Sequence, residues 1–239
     1  MGNAYIVDAC RTPRGIGKVG KGALAHLHPS YLGSTVLSAL AERNNFNTAD
    51  VDDIIWGTSA QSGKQSGDLG RMAALNAGYD VRSSGVTLDR FCGSGITTVS
   101  LAAAQVMSGM EDLVIAGGTE MMSYHSQVGD PSKPPMIDSG NLHLREMHPQ
   151  SQQGVCADAI ATLEGIDREA VDNLALVSQA RAARAIAEGR FDKSLITVTN
   201  PDGSVALDHE EFPRPETTKE GLAELKTVFS VVRGVPVDE

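Results

Sequence analysis

Aromatic residues and positive charge are both scarce in this sequence. Phenylalanine, tryptophan and tyrosine make up 4% of the 239 residues, so aliphatic side chains must form most of any core. There are 30 acidic residues against 20 basic ones, the formal net charge is −10 at pH 7, and no run of basic residues offsets it. A protein that mainly binds nucleic acid or an acidic membrane carries a basic surface. We therefore expect neither kind of partner.

Cysteine is also infrequent, and no hydrophobic run is long. Cys10, Cys92 and Cys156 are odd in number and widely spaced, which argues against a disulfide framework and favours a reducing, cytoplasmic location. No apolar segment approaches the roughly 18 residues that a membrane-spanning helix needs. The sequence therefore predicts free thiols and no membrane span.

Short apolar runs alternate with helical patterns in the first half of the chain. The runs predict strands at residues 4–9, 53–56, 86–88 and 113–116, and the patterns predict helices at residues 31–42, 69–77 and 93–108. Strands that alternate with helices in this way form a parallel sheet covered by helices. The prediction is an α/β fold.

The pattern changes after residue 118. Residues 123–153 are rich in proline, histidine, methionine and serine and have no period, so we expect a long surface excursion there. Helices are predicted again at residues 155–163 and 168–188, the second with Asp167 as its N-cap. This change predicts two domains, residues 1–118 and 119–239.

A glycine-rich stretch, residues 15–20, matches the G-x-G-x-x-G fingerprint of dinucleotide sites letter for letter. Its context differs from that of such a site. Four residues, including Pro13, separate the preceding strand from the first glycine, and Gly22 stands where a P-loop has serine or threonine. The stretch predicts a glycine loop rather than a nucleotide site.

Cys92 lies between a predicted strand and a predicted helix. At a helix N-terminus, unpaired backbone N–H groups and the helix dipole favour a thiolate. The small residues 93–95 leave room for a substrate close to the backbone, and Ile96 and Val99 are predicted to face inward. This placement is typical of a nucleophile, whereas a free cysteine can also be a small buried hydrophobic residue.

A helix terminus alone does not activate a thiol fully. It contributes roughly 0.3 to 1 kcal/mol, and one pKa unit corresponds to about 1.4 kcal/mol, so Cys92 needs a base. None of the six histidines lies in an obvious strand-end or helix-start motif, and no metal site is predicted, because matching cysteine or carboxylate partners are missing. The six are His26, His28, His125, His143, His148 and His209.

Several stretches occur in an order that resembles a known family. They are Arg11-Thr12-Pro13, Cys92-Gly93-Ser94-Gly95, residues 117–123 (GGTEMMS), residues 172–179 (DNLALVSQ), Gly189-Arg190-Phe191, and residues 214–218 (RPETT) through Leu225-Lys226. Together they resemble the thiolases, the acetyl-CoA C-acyltransferases, and most closely the degradative type of fatty acid β-oxidation. The resemblance covers nearly the whole chain.

The resemblance implies a fold, a nucleophile and substrates. The fold is a thiolase-like N-terminal βαβ domain, a mixed sheet covered by helices, with an inserted loop domain. Cys92 matches the nucleophile, which takes the acyl group from a 3-ketoacyl-CoA as a thioester, releases acetyl-CoA and passes the acyl group to a second CoA. The Cys92 N–H would contribute to an oxyanion hole. Arg214 and Thr217 match positions that hold the nucleotide end of CoA, or are simply a surface arginine and a helix cap. No cofactor is implied besides CoA and acyl-CoA as substrates.

The sequence departs from thiolases in two places. Asp89 stands where thiolases have asparagine, serine or threonine, which affects how Cys92 is positioned. The C-terminal half, with its asparagine, Gly-His-Pro histidine and second cysteine, is absent, and residues 229–239 diverge where the first domain should close. The histidine that should activate Cys92 belongs to that half, so we expect the chain to be incompetent alone.

Other functions stay open at this point. A separate C-terminal thiolase chain could complement this one, or the chain could be a non-catalytic CoA-binding or assembly module, or a portion of a biosynthetic acetoacetyl-CoA thiolase. Thiolases form dimers and tetramers, and degradative ones assemble with a multifunctional β-oxidation subunit. The resemblance therefore implies a homo-oligomer and such a partner.

Overall fold

The computed structural model describes residues 2–124, 138 and 140–228, and the backbone of residues 231–232 and 235–236. The chain forms two compact units, each made of two stretches of sequence. The first unit contains Met1–Gly129 and Phe191–Phe212, and the second contains Asp130–Arg190 and Pro213–Glu239. The domain boundary near residue 119 stays a prediction.

The first unit is built on a parallel sheet. Its elements are α1 (Pro29–Asn44), β1 (Asp53–Gly57), α2 (Leu69–Asn76), β2 (Val86–Leu88), α3 (Ser94–Ser108), β3 (Val114–Gly118), β4 (Val198–Thr199) and β5 (Val205–Leu207), with 3₁₀ turns at Thr48–Asp50 and Gly63–Gln65. Strand β1 lies between β2 and β3 and is parallel to both, with Ile55 opposite Val86 on one side and Ala116 on the other. Strands β4 and β5 form a separate antiparallel pair. The predicted α/β fold is confirmed.

The core of this unit forms around Trp56, the single tryptophan of the chain. Its side chain is almost fully buried, and its Nε1 donates a hydrogen bond to Thr119 Oγ1 over 3.0 Å. Gly117 has no Cβ, which leaves the space that the Trp56 ring occupies. The other core residues are mostly aliphatic: Leu37, Val51, Ile54, Leu69, Ala73, Ala74, Tyr79 and Ile115. The composition predicts such a core.

Residues 4–9, predicted as a buried strand, are an exception. In the described part of the chain this segment is not a strand, and Tyr5, Ile6 and Val7 are each about 80% exposed. A strand forms only where a neighbouring strand supplies hydrogen bonds to its backbone. Among the described residues, neither edge strand of the sheet pairs with residues 4–9. The prediction of a strand is therefore wrong for this structure, because an apolar pattern cannot supply the neighbour.

Helix α3 also differs from the prediction. Ile96 is 77% exposed and Val99 is 47% exposed, although both were expected to face inward. The side that packs inward instead carries small residues four apart, Ser94, Thr98 and Ala102. Small side chains let a helix approach a sheet closely, and this geometry, rather than hydrophobicity, sets the inward face.

The second unit is mainly helical. Its elements are α4 (Leu142–Met147), α5 (Gln153–Leu163), α6 (Arg168–Ala187), α7 (Lys219–Ala223) and the antiparallel strands β6 (Val231–Val232) and β7 (Val235–Pro236). Helices α5 and α6 confirm the two predicted here. Across the described residues, no helix is both long enough and apolar enough to span a membrane. The predicted excursion at residues 123–153 falls partly outside the described residues.

The helix caps of this unit agree only in part with the sequence. Asp167 caps α6 as predicted, and its carboxylate accepts a hydrogen bond from the Ala170 N–H over 2.8 Å. Thr217, for which a helix cap is the alternative to CoA binding, does not cap α7. Its neighbour Thr218 does so, with Oγ1 accepting from the Gly221 N–H over 3.1 Å. Two adjacent threonines are equivalent in a pattern, and only the backbone decides between them.

Candidate functional site

The loops that follow β1, β2 and β3 lie at one edge of the sheet. Adjacent strands are about 4.8 Å apart, so the residues after Gly57, Leu88 and Gly118 are close neighbours. Cys92 follows β2, and Glu120 follows β3. The carboxyl edge of a parallel sheet is where α/β folds place their ligand sites. We therefore take this edge as the candidate site.

Cys92 is exposed and lies two residues before the first residue of α3. Phe91, directly before it, has φ +48°, in the left-handed region that non-glycine residues rarely adopt. Gly93 is the N-cap and has no side chain with which to satisfy the free N–H groups of the helix. The thiol is thus presented at an uncapped helix N-terminus, as the sequence predicts.

The turn around Cys92 is held by short hydrogen bonds. Ser94 Oγ donates to the Phe91 carbonyl over 2.7 Å and accepts from the Arg90 N–H over 2.9 Å. Asp89 Oδ1 accepts from the Phe91 N–H over 2.6 Å. Asp89, the departure from the thiolase pattern, therefore has a defined structural contact.

The thiol and the backbone N–H of Cys92 are the reactive groups of this turn. Within the residues that the structure describes, neither its thiol nor its backbone N–H donates a hydrogen bond. The N–H groups of Gly93 and Ser94 donate to the Arg90 and Phe91 carbonyls, over 3.0 and 3.1 Å, so the Cys92 N–H is the available donor of this turn. A thiol beside it can attack a carbonyl carbon, and this N–H can stabilise the oxyanion that forms. This arrangement suits acyl transfer.

Glu120 and Gln65 organise the other two loops at this edge, and sequence reasoning did not find them. Glu120 Oε2 accepts hydrogen bonds from the N–H and the hydroxyl of Ser59, over 2.6 and 2.7 Å. Gln65 is fully buried and donates to Glu120 Oε1 over 3.0 Å, while its own carbonyl accepts from the Met121 N–H. These bonds join the loop after β1 to the loop after β3. An acidic residue after the glycines of β3 was the only available signal.

Two described histidines of the first unit, His26 and His28, have hydrogen-bond partners. His28 caps α1 by accepting from the Ser30 N–H, and burial, followed by the nearby Lys64 charge, lowers its pKa. His26 is hydrogen-bonded to Asn200. The others described are His143, His148 and His209, and His125 lies outside the described residues. No group of three or more potential metal ligands occurs among the residues described.

The glycine loop at residues 15–20 binds carboxylates of its own chain. Glu211 accepts hydrogen bonds from the N–H groups of Ile16 and Ala23, over 2.9 and 3.1 Å. Glu210 accepts from the Arg14 N–H over 2.8 Å. Ile16 is the donor within the loop, and Arg14 and Ala23 flank it. Two carboxylates beside these N–H groups would repel a phosphate, which favours a structural role for the loop.

The two residues predicted to hold CoA, Arg214 and Thr217, lie in one turn of the second unit. Thr217 Oγ1 donates to the Arg214 carbonyl over 2.7 Å. The Arg214 N–H donates to Gln179 Oε1 of α6, also over 2.7 Å, and the Arg214 side chain is exposed, with no ion pair to a described residue. Gln179 anchors this turn, a role that the sequence pattern did not reveal. CoA binding by Arg214 and Thr217 stays a prediction.

The chain is similar to known proteins over nearly its whole length. Residues 4–235 match the family described as Thiolase, N-terminal domain. The chain is 39% identical to a beta-ketoadipyl-CoA thiolase of Acinetobacter baylyi, over 95% of this chain and 60% of that protein. It is 34% identical to a 3-ketoacyl-CoA thiolase of Vibrio vulnificus, over 98% of this chain and 60% of that protein, and 32% identical to one of Psychrobacter arcticus. The chain thus spans about 60% of the length of these relatives.

Proposed function

Because the chain belongs to the thiolase family, we propose that it contributes the nucleophile to acyl transfer between 3-ketoacyl-CoA and CoA. The observation that carries this proposal is the exposed Cys92 at the N-terminus of α3, whose thiol and amide donate no hydrogen bond to any described residue. The names of relatives support a 3-ketoacyl-CoA substrate and, for the first, a beta-ketoadipyl group. The degradative direction and a role in β-oxidation are part of the proposal.

The chemistry has two halves. The Cys92 thiolate attacks the 3-keto carbon, the bond between C2 and C3 breaks, and the C2 carbanion takes up a proton as acetyl-CoA leaves. The thiolate of a second CoA then attacks the Cys92 thioester, so that the acyl-CoA departs and the Cys92 thiolate is restored. The Cys92 N–H donates to the oxyanion in each half.

Cys92 has no base in place within the part of the chain that the structure describes. Among those residues no histidine is hydrogen-bonded to Cys92, and a helix terminus contributes only roughly 0.3 to 1 kcal/mol to the stability of a thiolate. We propose that a C-terminal thiolase portion supplies the base and that this chain alone turns over slowly or not at all. We also propose that Arg214 and Thr217 hold CoA and that the assembled protein is oligomeric.

The first experiment is acylation followed by turnover. The full chain is incubated with acetoacetyl-CoA, with and without the C-terminal portion of a 3-ketoacyl-CoA thiolase, and adducts are located by peptide mass spectrometry. We expect an acetyl group on Cys92, none in Cys92→Ser, and thiolysis only with the added portion. Full thiolysis by this chain alone would contradict the missing base.

The second candidate, a non-catalytic CoA-binding module, has one observation in its favour. The Arg214 guanidinium and the turn anchored by Gln179 belong to a unit that does not contain Cys92. Saturable CoA binding that Arg214→Gln weakens, together with an absence of acyl adduct on Cys92, would favour this candidate.

A further inference from the structure

We propose that Ser94 and Asp89 are positioning residues that hold Cys92 in its reactive orientation. This proposal rests on the proposed function, because only a nucleophile has to be oriented toward a substrate. The contacts that support it do not depend on that function. They are the hydrogen bonds on either side of Cys92 and the burial of Ser94.

Ser94 closes the turn that contains Cys92. Ser94 is 6% exposed, and its hydroxyl donates its proton to the Phe91 carbonyl and accepts from the Arg90 N–H. Both partners precede Cys92, whereas Ser94 follows it as the first residue of α3. The Ser94 side chain therefore connects the two residues before Cys92 to the start of helix α3.

Strand β1 holds Ser94 from the opposite side. A Cβ added at Gly57 would lie 2.9 Å from Ser94 Cβ, so strand and helix touch without an intervening side chain. This contact prevents Ser94 from moving closer to the sheet. The start of α3, and with it the direction of its free N–H groups, is fixed by the strand.

Asp89 stabilises the left-handed backbone conformation of Phe91. Its carboxylate accepts from the Phe91 N–H, which stabilises a backbone that a bulky side chain adopts only when its surroundings impose it. Asparagine offers the same acceptor oxygen without the charge. The carbonyl oxygen, and not the charge, is the feature that this role requires.

These contacts have a chemical consequence. Free N–H groups stabilise a thiolate only while they point toward the sulfur, and the effect declines within one helical turn. If the Phe91 conformation relaxes, the thiol turns away from the helix terminus although the core around Trp56 is unchanged. Loss of the Ser94 or Asp89 side chain should therefore lower the alkylation rate of Cys92 even in a variant whose first unit stays folded.

The experiment measures alkylation by iodoacetamide in the full chain, followed at the peptide level. Ser94→Ala and Asp89→Ala should slow Cys92 alkylation at pH 7 about two- to fivefold. Asp89→Asn should restore most of the rate. Cys156, exposed on α5, is an internal control whose rate should not change. Asp202→Ala removes a comparable turn contact, to the Ser204 N–H, and should leave Cys92 unaffected.

The possible results distinguish the positioning role from the proposed function. Unchanged Cys92 alkylation rates in folded Ser94→Ala and Asp89→Ala, with or without lower stability, would overturn the inference. Failure of Asp89→Asn to restore the rate would overturn the role of Asp89. If Ser94→Ala does not fold, the Asp89 pair still decides. If alkylation responds as expected but no acyl adduct forms on Cys92, the positioning stands and the proposed function fails.

Discussion

Glu210 shows how a single residue stabilises the N-terminal loop. Its side chain is 5% exposed, its Oε1 lies 2.5 Å from Arg11 Nη2, and its Oε2 accepts from the Arg14 N–H. Burial alone would raise the pKa of this carboxyl, but the Arg14 hydrogen bond and the Arg11 pairing outweigh it. The net pKa lies below the ordinary value.

This direction predicts an acid-sensitive loss of stability. A carboxyl whose folded pKa is lowered stabilises the protein above its unfolded pKa, and the contribution disappears as pH falls through the folded value. We expect Glu210→Gln to lower the free energy of unfolding by about 1–3 kcal/mol at pH 7 and to reduce its decline between pH 5 and pH 3, a window around and below the carboxyl's ordinary pKa of about 4.3. Urea unfolding followed by Trp56 fluorescence measures both. Equal stability of the two proteins at pH 7 would contradict this assignment.

At the scale of elements, the contact between β1 and α3 depends on small residues on both sides. Gly57 supplies the space in the strand, and Ser94, Thr98 and Ala102 form the inward stripe of the helix. This contact sets the height of α3 above the sheet, and therefore the place of Cys92. Packing at such a close approach tolerates little added volume.

Gly57→Ala should disturb this contact, because its Cβ would lie 2.9 Å from Ser94 Cβ. We expect a loss of about 1–3 kcal/mol in the free energy of unfolding, measured by urea unfolding with Trp56 fluorescence. Gly95→Ala is the matched control. A Cβ there meets nothing within 4 Å, and its stability should be unchanged or slightly higher. Equal effects at the two glycines would refute the close contact.

At the scale of the whole molecule, apolar side chains of the first unit remain exposed. Tyr5, Ile6, Val7 and Ile96 are each more than three-quarters exposed, and the relatives are longer than this chain. A helix that is apolar on more than its core-facing side is typical of a buried helix. These faces fit our proposal that a C-terminal thiolase portion covers them.

Ile96→Glu tests this proposal at the interface itself. Because Ile96 is 77% exposed, its replacement should change the stability of the chain alone by less than about 0.5 kcal/mol. It should nevertheless reduce complex formation with the C-terminal portion of a 3-ketoacyl-CoA thiolase, measured by size-exclusion chromatography. Ile160→Glu, on α5 and 58% exposed, is the control expected to bind normally. Equal binding by both variants would exclude Ile96 from the interface.

Much of the local structure could be predicted from the sequence. The strand at Asp53–Gly57, the helix at Arg168–Ala187 with its Asp167 cap, and the position of Cys92 between β2 and α3 all follow from periodicity and capping residues. These signals are local, since each depends on neighbours within one or two turns of the chain. They also sufficed for the thiolase resemblance, which the comparisons confirm.

The tertiary structure decided what surrounds those elements. It left Tyr5–Val7 and Ile96 exposed, brought Glu210 and Glu211 onto a loop almost 200 residues away, and joined Glu120 to Gln65 beside the site. Each of these depends on partners distant in sequence, and no local pattern encodes their distances. The scarcity of aromatics and basic residues determined the kind of core and the charge, but only packing determined which faces of that core are covered.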